Sequence, residues 1–124
     1  MNIDKLDKVF SEYIRKRDAD EYGRVKCCTC DAVSHWSEMD CGHWQSRHNM
    51  GTRWDERNCH DQCKECNQTN GGMFEEHRIY IFNRYGSAVV DDLIYQARHN
   101  KKWIQFEIDE MVQEYKEKIK QLDI

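Results

Sequence analysis

Residues 58–67 read Asn-Cys-His-Asp-Gln-Cys-Lys-Glu-Cys-Asn (NCHDQCKECN). Cys63 and Cys66 form a C-x2-C pair, Asn67 sits directly against the second cysteine, and Asn58 opens the stretch. A second C-x2-C pair, Cys27 and Cys30, lies upstream, with 32 residues between Cys30 and Cys63. Two such knuckles can each offer two thiolates to one tetrahedral ion, so the spacing predicts Zn²⁺ bound by Cys27, Cys30, Cys63 and Cys66. Four sulfurs leave no open coordination position, so this zinc is expected to be structural. The rival reading is a thioredoxin-like redox pair, which needs a strand–helix context that the surrounding sequence lacks. Cys28 could replace Cys27 by a slip of one place. Cys41 and Cys59 could be small buried thiols or members of a second site.

Composition supports a stapled core. The chain has 124 residues, no proline, 34% charged residues and 39% hydrophobic residues. The length suits a single domain over 1–124, and the small apolar share makes a metal staple useful. The start, MNIDKLDKVF, lacks a continuous apolar run, and no stretch approaches membrane-span length. The expectation is a cytoplasmic protein without membrane association, whose seven cysteines stay reduced. The net charge of −4 and pI of about 5.8 argue against a bulk nucleic-acid coat. They leave room for an enzyme that meets phosphates through a divalent ion and a few arginines. Two local cationic clusters, Arg15-Lys16-Arg17 and residues 98–102, read equally well as solvated helix ends.

Helical spacing marks Ile3, Leu6, Val9, Phe10, Tyr13 and Ile14 as one face of an N-terminal helix over 1–22, with Gly23 as its stop. Residues 24–72 lose that periodicity and gain cysteine, tryptophan, histidine and glycine, which reads as a metal-bound loop and hairpin core. Periodicity resumes from about Gln62, breaks at Asn70-Gly71-Gly72, and continues through a helical part over 73–124. The Met73–Tyr85 helix is expected to bury Phe74, His77, Ile81, Phe82 and Tyr85. Gly86 ends it and Ser87 starts the next, which buries Val89, Val90, Leu93, Ile94 and Ala97. From about Ile104 a last stripe comprises Ile108, Met111, Val112, Tyr115, Ile119 and Leu122. Trp36, Trp44 and Trp54 are most simply packing around a small core. His35, His48, His77 and His99 show no partner pattern.

Between the knuckles lies MDCGHWQSR (39–47), with Asp40, Gly42 and His43 in four positions. Taken with CCTC (27–30), WSEMDCGH (36–43), RWDERNCHDQCKECN (53–67), NGG (70–72) and HRIYIFNRYGSAVVDDL (77–93), the sequence resembles the HNH pattern of ββα-metal nucleases. More specifically, it resembles the NinG (Rap) recombination proteins of lambdoid phages. The resemblance covers most of the chain. It implies an α+β, mostly helical fold with a small zinc-stabilised ββα-metal core and flanking N- and C-terminal helices.

The resemblance also implies roles. His43 would be the general base, since its ordinary pKa of about 6.5 suits proton removal near neutral pH. Asn58 would tie down the loop carrying the histidine strand. Asn67 would replace the motif's final histidine and hold a catalytic Mg²⁺ or Mn²⁺. Most HNH enzymes carry an acid directly before the histidine; here that position is Gly42 and the acid is Asp40. On an ideal strand positions 40 and 43 face opposite ways, so Asp40 reaches the ion only if a bulge at Cys41-Gly42 turns it. Arg47 and Arg53 are candidate phosphate clamps. His60 reads as a support behind the metal ligands, a helix-start residue or an alternative ligand.

Two functions follow. The first is a metal-dependent DNA endonuclease cutting branched recombination intermediates, such as Holliday junctions and D-loops, in the bacterial cytoplasm of a phage host. A symmetric junction suits a homodimer, and the apolar stripe over residues 108–122 reads equally as its surface or as packing on the chain's own core. The second is a non-catalytic zinc module that binds nucleic acid or protein, which needs neither His43 nor the two asparagines.

Overall fold

The N-terminal helix forms because its apolar residues repeat at helical spacing. Its polar ends also suit the helix dipole, with Asp4 in the first turn and Arg15, Lys16 and Arg17 in the last. The computed structural model describes residues 1–122, so the last two positions of the C-terminal part lie outside the described residues. Helix α1 spans Ile3–Arg17, and the following elements are β1 (Arg24–Lys26), β2 (Val33–His35), β3 (Asp40–His43) and β4 (Cys59–Gln62). A π-helical turn, Glu65–Thr69, then leads to α2 (Phe74–Tyr85), α3 (Ser87–Ala97) and α4 (Gln105–Gln121). The architecture is α+β and mostly helical, with two antiparallel two-stranded sheets, β1–β2 and β3–β4.

The main core joins the two ends of the chain. Leu6, Val9, Phe10 and Ile14 of α1 meet Ile108, Val112 and Tyr115 of α4, with Trp54 and Cys59 closing the cluster. Phe10 and Tyr115 pack edge to face at 5.1 Å. Each such buried apolar side chain contributes roughly 1.5–3 kcal/mol. Of the two readings of the α4 stripe, its buried part therefore follows the packing on the chain's own core. The Arg15-Lys16-Arg17 cluster is also largely engaged. Lys16 pairs with Glu12 at 2.8 Å, and Arg17 donates to the carbonyls of Glu56 and Cys59 at 2.9 and 2.8 Å.

A smaller core of Trp44, Ile81, Val90 and Leu93 holds α2 and α3 against the hairpin loop. Two expectations for α2 fail. Phe74 and Phe82 are exposed, while His77 and Ile81 are buried, because the helix turns its 77/81 ridge inward. Phe74 instead lies 5.3 Å from the Trp44 ring at the edge of this core. Gln62, where helical periodicity is expected to resume, is instead the last residue of strand β4. Its four residues are all buried, since it is covered on both faces and loses the alternation that marks an exposed strand. No helix among the described residues is long and apolar enough to cross a membrane.

Candidate functional site

The two knuckles meet because β1 and β4 end side by side. The backbone N–H of Cys28 donates to the Asp61 carbonyl at 2.9 Å, tying the first knuckle to β4. The ligating sulfurs of Cys27, Cys30, Cys63 and Cys66 all lie within 4.8 Å of one another, and Cys28 is outside the group. The Cys30 and Cys63 sulfurs are 3.5 Å apart, and the Cys66 N–H donates to the Cys63 sulfur at 3.5 Å. Burial opposes ionisation of Cys27, yet the Thr29 hydroxyl and neighbouring donors bring its thiol down to about 6. Four soft sulfur donors at these separations fit a structural metal such as zinc.

The second part of the site is the β3–β4 hairpin. Its pairing is one to one: Asp40 with Gln62, Cys41 with Asp61, Gly42 with His60, His43 with Cys59. No bulge interrupts it, so Asp40 and His43 leave the strand on opposite faces. The bulge expected at Cys41-Gly42 is absent, yet both residues line one cavity of about 450 Å³, together with Asn67, Ser46 and Gly71. Asp40 stands at one end of the strand and His43 at the other.

His43 has a defined tautomer. Its Nε2 lies 2.9 Å from the Arg53 carbonyl. A carbonyl only accepts, so Nε2 carries the proton and Nδ1 of the neutral ring holds the lone pair. Burial holds the imidazole below its ordinary value, with the carbonyls of Arg53 and Cys41 acting the other way.

Asn58 is fully buried and clamps the long loop before it. Its amide donates to the carbonyls of Gln45 and Thr52 at 3.0 and 3.2 Å, and its oxygen accepts from the Gln45 N–H at 2.8 Å. The loop therefore leaves and returns to the hairpin at one set of hydrogen bonds. Asn67 rides on the π-turn after the second knuckle and donates to Asp40 at 3.0 Å. Gln68 and Lys64 also donate to Asp40, at 2.8 and 2.7 Å. Burial pushes the Asp40 carboxyl up, but these three donors outweigh it and hold the group below its usual range.

The two arginines are less free than a phosphate clamp requires. Arg53 is 13% exposed and gives its guanidinium to Asp7 of α1, and the next residue, Trp54, donates to the same carboxylate at 2.9 Å. Arg47 reaches Asp7 through one nitrogen at 3.1 Å and stays 58% exposed. Asp7 thus fixes the peptide whose carbonyl orients His43.

The opposite face of the hairpin is sealed. His60 meets His77 at 3.0 Å through Nδ1 and the Tyr85 hydroxyl at 3.1 Å through Nε2. Burial drives the His60 pKa strongly down and brings His77 to about 4. Gln62 donates to the Thr29 hydroxyl and to the Gly72 carbonyl at 3.1 and 2.9 Å. Gly72 can present that carbonyl because Gly71, Gly72 and Met73 form a left-handed turn with φ of 67°, 90° and 51°. Gln62 also explains why glycine precedes His43: a Cβ at Gly42 would stand 2.7 and 2.8 Å from the Gln62 Cδ and Cγ.

A family model described as Bacteriophage Lambda NinG protein matches residues 1–124. The chain belongs to the NinG family. It is 30% identical over 122 residues to "Protein ninG" of Escherichia phage 933W and to that of Salmonella phage P22, which covers 97% of this chain and 57% of each relative. The counterpart in Escherichia phage lambda is likewise 30% identical, with 97% of this chain and 56% of the relative covered. This chain thus spans little more than half the length of the NinG proteins it matches. No solved structure matches it. Within this NinG chain, Asp40, His43 and Asn67 line one cavity, Asn67 directly follows the second knuckle, and Asn58 holds the loop that follows His43. Asp7, Lys64 and Gln68 belong to the same networks and carry no sequence expectation, and His77, expected only as a buried helix residue, gains a histidine partner. They had no motif signal, since each acts through a partner at least 17 residues away.

Proposed function

We propose that the chain is an HNH-type, metal-dependent DNA endonuclease acting on branched recombination intermediates such as Holliday junctions and D-loops. The observation that carries this reading is the orientation of His43. Its Nε2–H is committed to the Arg53 carbonyl, which leaves the lone pair on Nδ1, and the residue lines a polar cavity.

Nδ1 of His43 removes a proton from water as the oxygen attacks phosphorus, and the bond to the 3′ oxygen breaks on the opposite side. The Arg53 carbonyl stabilises the imidazolium that results, because Nε2–H keeps its acceptor. The depressed imidazole pKa keeps the base unprotonated near neutral pH. Asp40 and the oxygen of Asn67 are hard donors that fit Mg²⁺ or Mn²⁺, although Lys64 must give up its contact with Asp40 first. A divalent ion held there supplies charge neutralisation at the scissile phosphate. Arg47, with most of its guanidinium exposed, suits a flanking phosphate, whereas Arg53 serves as a brace for the loop.

The test uses labelled four-way junction, linear duplex and single strand, each with and without Mg²⁺ or Mn²⁺. Metal-dependent cutting of the junction in preference to duplex is expected. Asn67→Ala should cut slowly and recover with more metal, while His43→Ala should not recover. No cutting of any substrate would replace this reading with a zinc-stabilised binding module.

A further inference from the structure

The hairpin face turned toward α1 gathers metal-ligating side chains that the four-cysteine centre does not use. We propose that Cys41, His43 and Cys59 form a second site for a thiophilic divalent cation of the Zn²⁺ or Co²⁺ class.

Strand register builds the group. Cys41 and His43 are two residues apart on β3 and so share a face, and Cys59 of β4 pairs directly opposite His43. One ligand atom from each lies within 4.8 Å of the other two. Two sulfurs and an imidazole form a donor set that selects soft or borderline ions over Mg²⁺. The imidazole is also prepared as metal-binding histidines are, since one ring N–H is spent on a backbone carbonyl and the lone pair is left on the other nitrogen. Cys28, the remaining cysteine outside the knuckles, joins no such group among the described residues.

The second centre differs from the first in coordination. With three protein ligands its fourth position falls to water or an anion, and Cys41 and His43 both line the cavity that supplies one. An ion bound here takes the Nδ1 lone pair of His43. On the reading of His43 as general base, occupancy and cleavage exclude each other, and Zn²⁺ inhibits. That consequence rests on the proposed activity; the site itself does not.

The test is a Co²⁺ titration of the full chain, reduced and with zinc already in the knuckles, in the absence of DNA. One equivalent of Co²⁺ should bind with thiolate-to-cobalt absorption and tetrahedral visible bands, while one zinc per chain stays bound. Cys41→Ser, at a half-buried position, should lose the cobalt bands and keep the zinc. Should that variant lose its zinc and unfold, His43→Asn is judged by the same two readings. Absence of the thiolate-to-cobalt band in the wild type overturns the proposal. So does release of knuckle zinc in step with cobalt uptake, or wild-type cobalt binding in a folded variant. Each of these outcomes is read without cleavage, so failure of the nuclease reading leaves the result interpretable.

Discussion

The two faces of the β3–β4 hairpin carry a histidine each, and the two rings have opposite prospects. His60 spends both nitrogens, one on His77 and one on Tyr85, and is enclosed on every side. His43 spends one nitrogen on a carbonyl, and the residue lines a cavity. The carboxylates differ as sharply but cross that division, since Asp61 shares the face of His43 and Asp40 that of His60. Asp61 is pushed up to about 8 by burial and has an oxygen without a hydrogen-bond partner, whereas Asp40 is held ionised by three donors. The difference teaches that residue type does not decide chemistry here. What decides it is how many of a group's donor and acceptor positions the fold has already used.

The largest effect should come from the element that holds both faces in place. Cys63→Ser should lose the knuckle metal and most of the folded state, because such centres supply folding free energy directly. Full metal content with an unchanged melting curve would remove the four-cysteine centre. Next, the two histidines should separate. His43→Ala should lower junction cleavage by a factor of about 10² to 10⁴ while keeping the knuckle metal. His60→Ala should instead cost about 2–4 kcal/mol in stability through its cavity and orphaned partners, with the folded fraction cutting within tenfold of wild type. Equal losses of rate in both variants would erase the contrast between the faces.

The sealed face should also be acid-sensitive. His77 is held at about 4 in the folded chain, against 6.5 for an unperturbed imidazole. Below 6.5 the unfolded chain takes up a proton that the folded chain refuses. Stability should therefore fall as pH drops from about 6.5 to about 4, by up to roughly 3 kcal/mol. Urea unfolding of wild type and His77→Phe at pH 7 and pH 4.5 checks this; both carry the same knuckle, so the difference isolates the histidine. An identical pH dependence in the two proteins would refute it. The smallest effect is expected at Gly42. Gly42→Ala forces a methyl onto the pinned Gln62 side chain and should cost about 1–3 kcal/mol. An unchanged melting temperature would mean that Gln62 moves freely, and that the sealed face is looser than its hydrogen bonds imply.

Much of the plan was legible in the linear order of residues. Paired cysteines with two residues between them point to a metal turn because the ligand geometry of a knuckle is local. The apolar stripes on α1 and α4 declare helices because a helical face repeats within a few residues. Asn58, Asp40, His43 and Asn67 stood out through the motif that frames them. Tertiary structure alone decided the rest. It chose Cys27 over Cys28, kept the hairpin free of a bulge, turned the α4 stripe onto α1, and committed Arg53 to Asp7 across 46 positions. It also brought Cys41, His43 and Cys59 into one group, although nothing in their spacing joins residue 59 to residues 41 and 43. These outcomes depend on which strand register and which helix pairing bury the most apolar surface while satisfying the polar groups inside. That balance is struck over the whole chain, so no local pattern carries it.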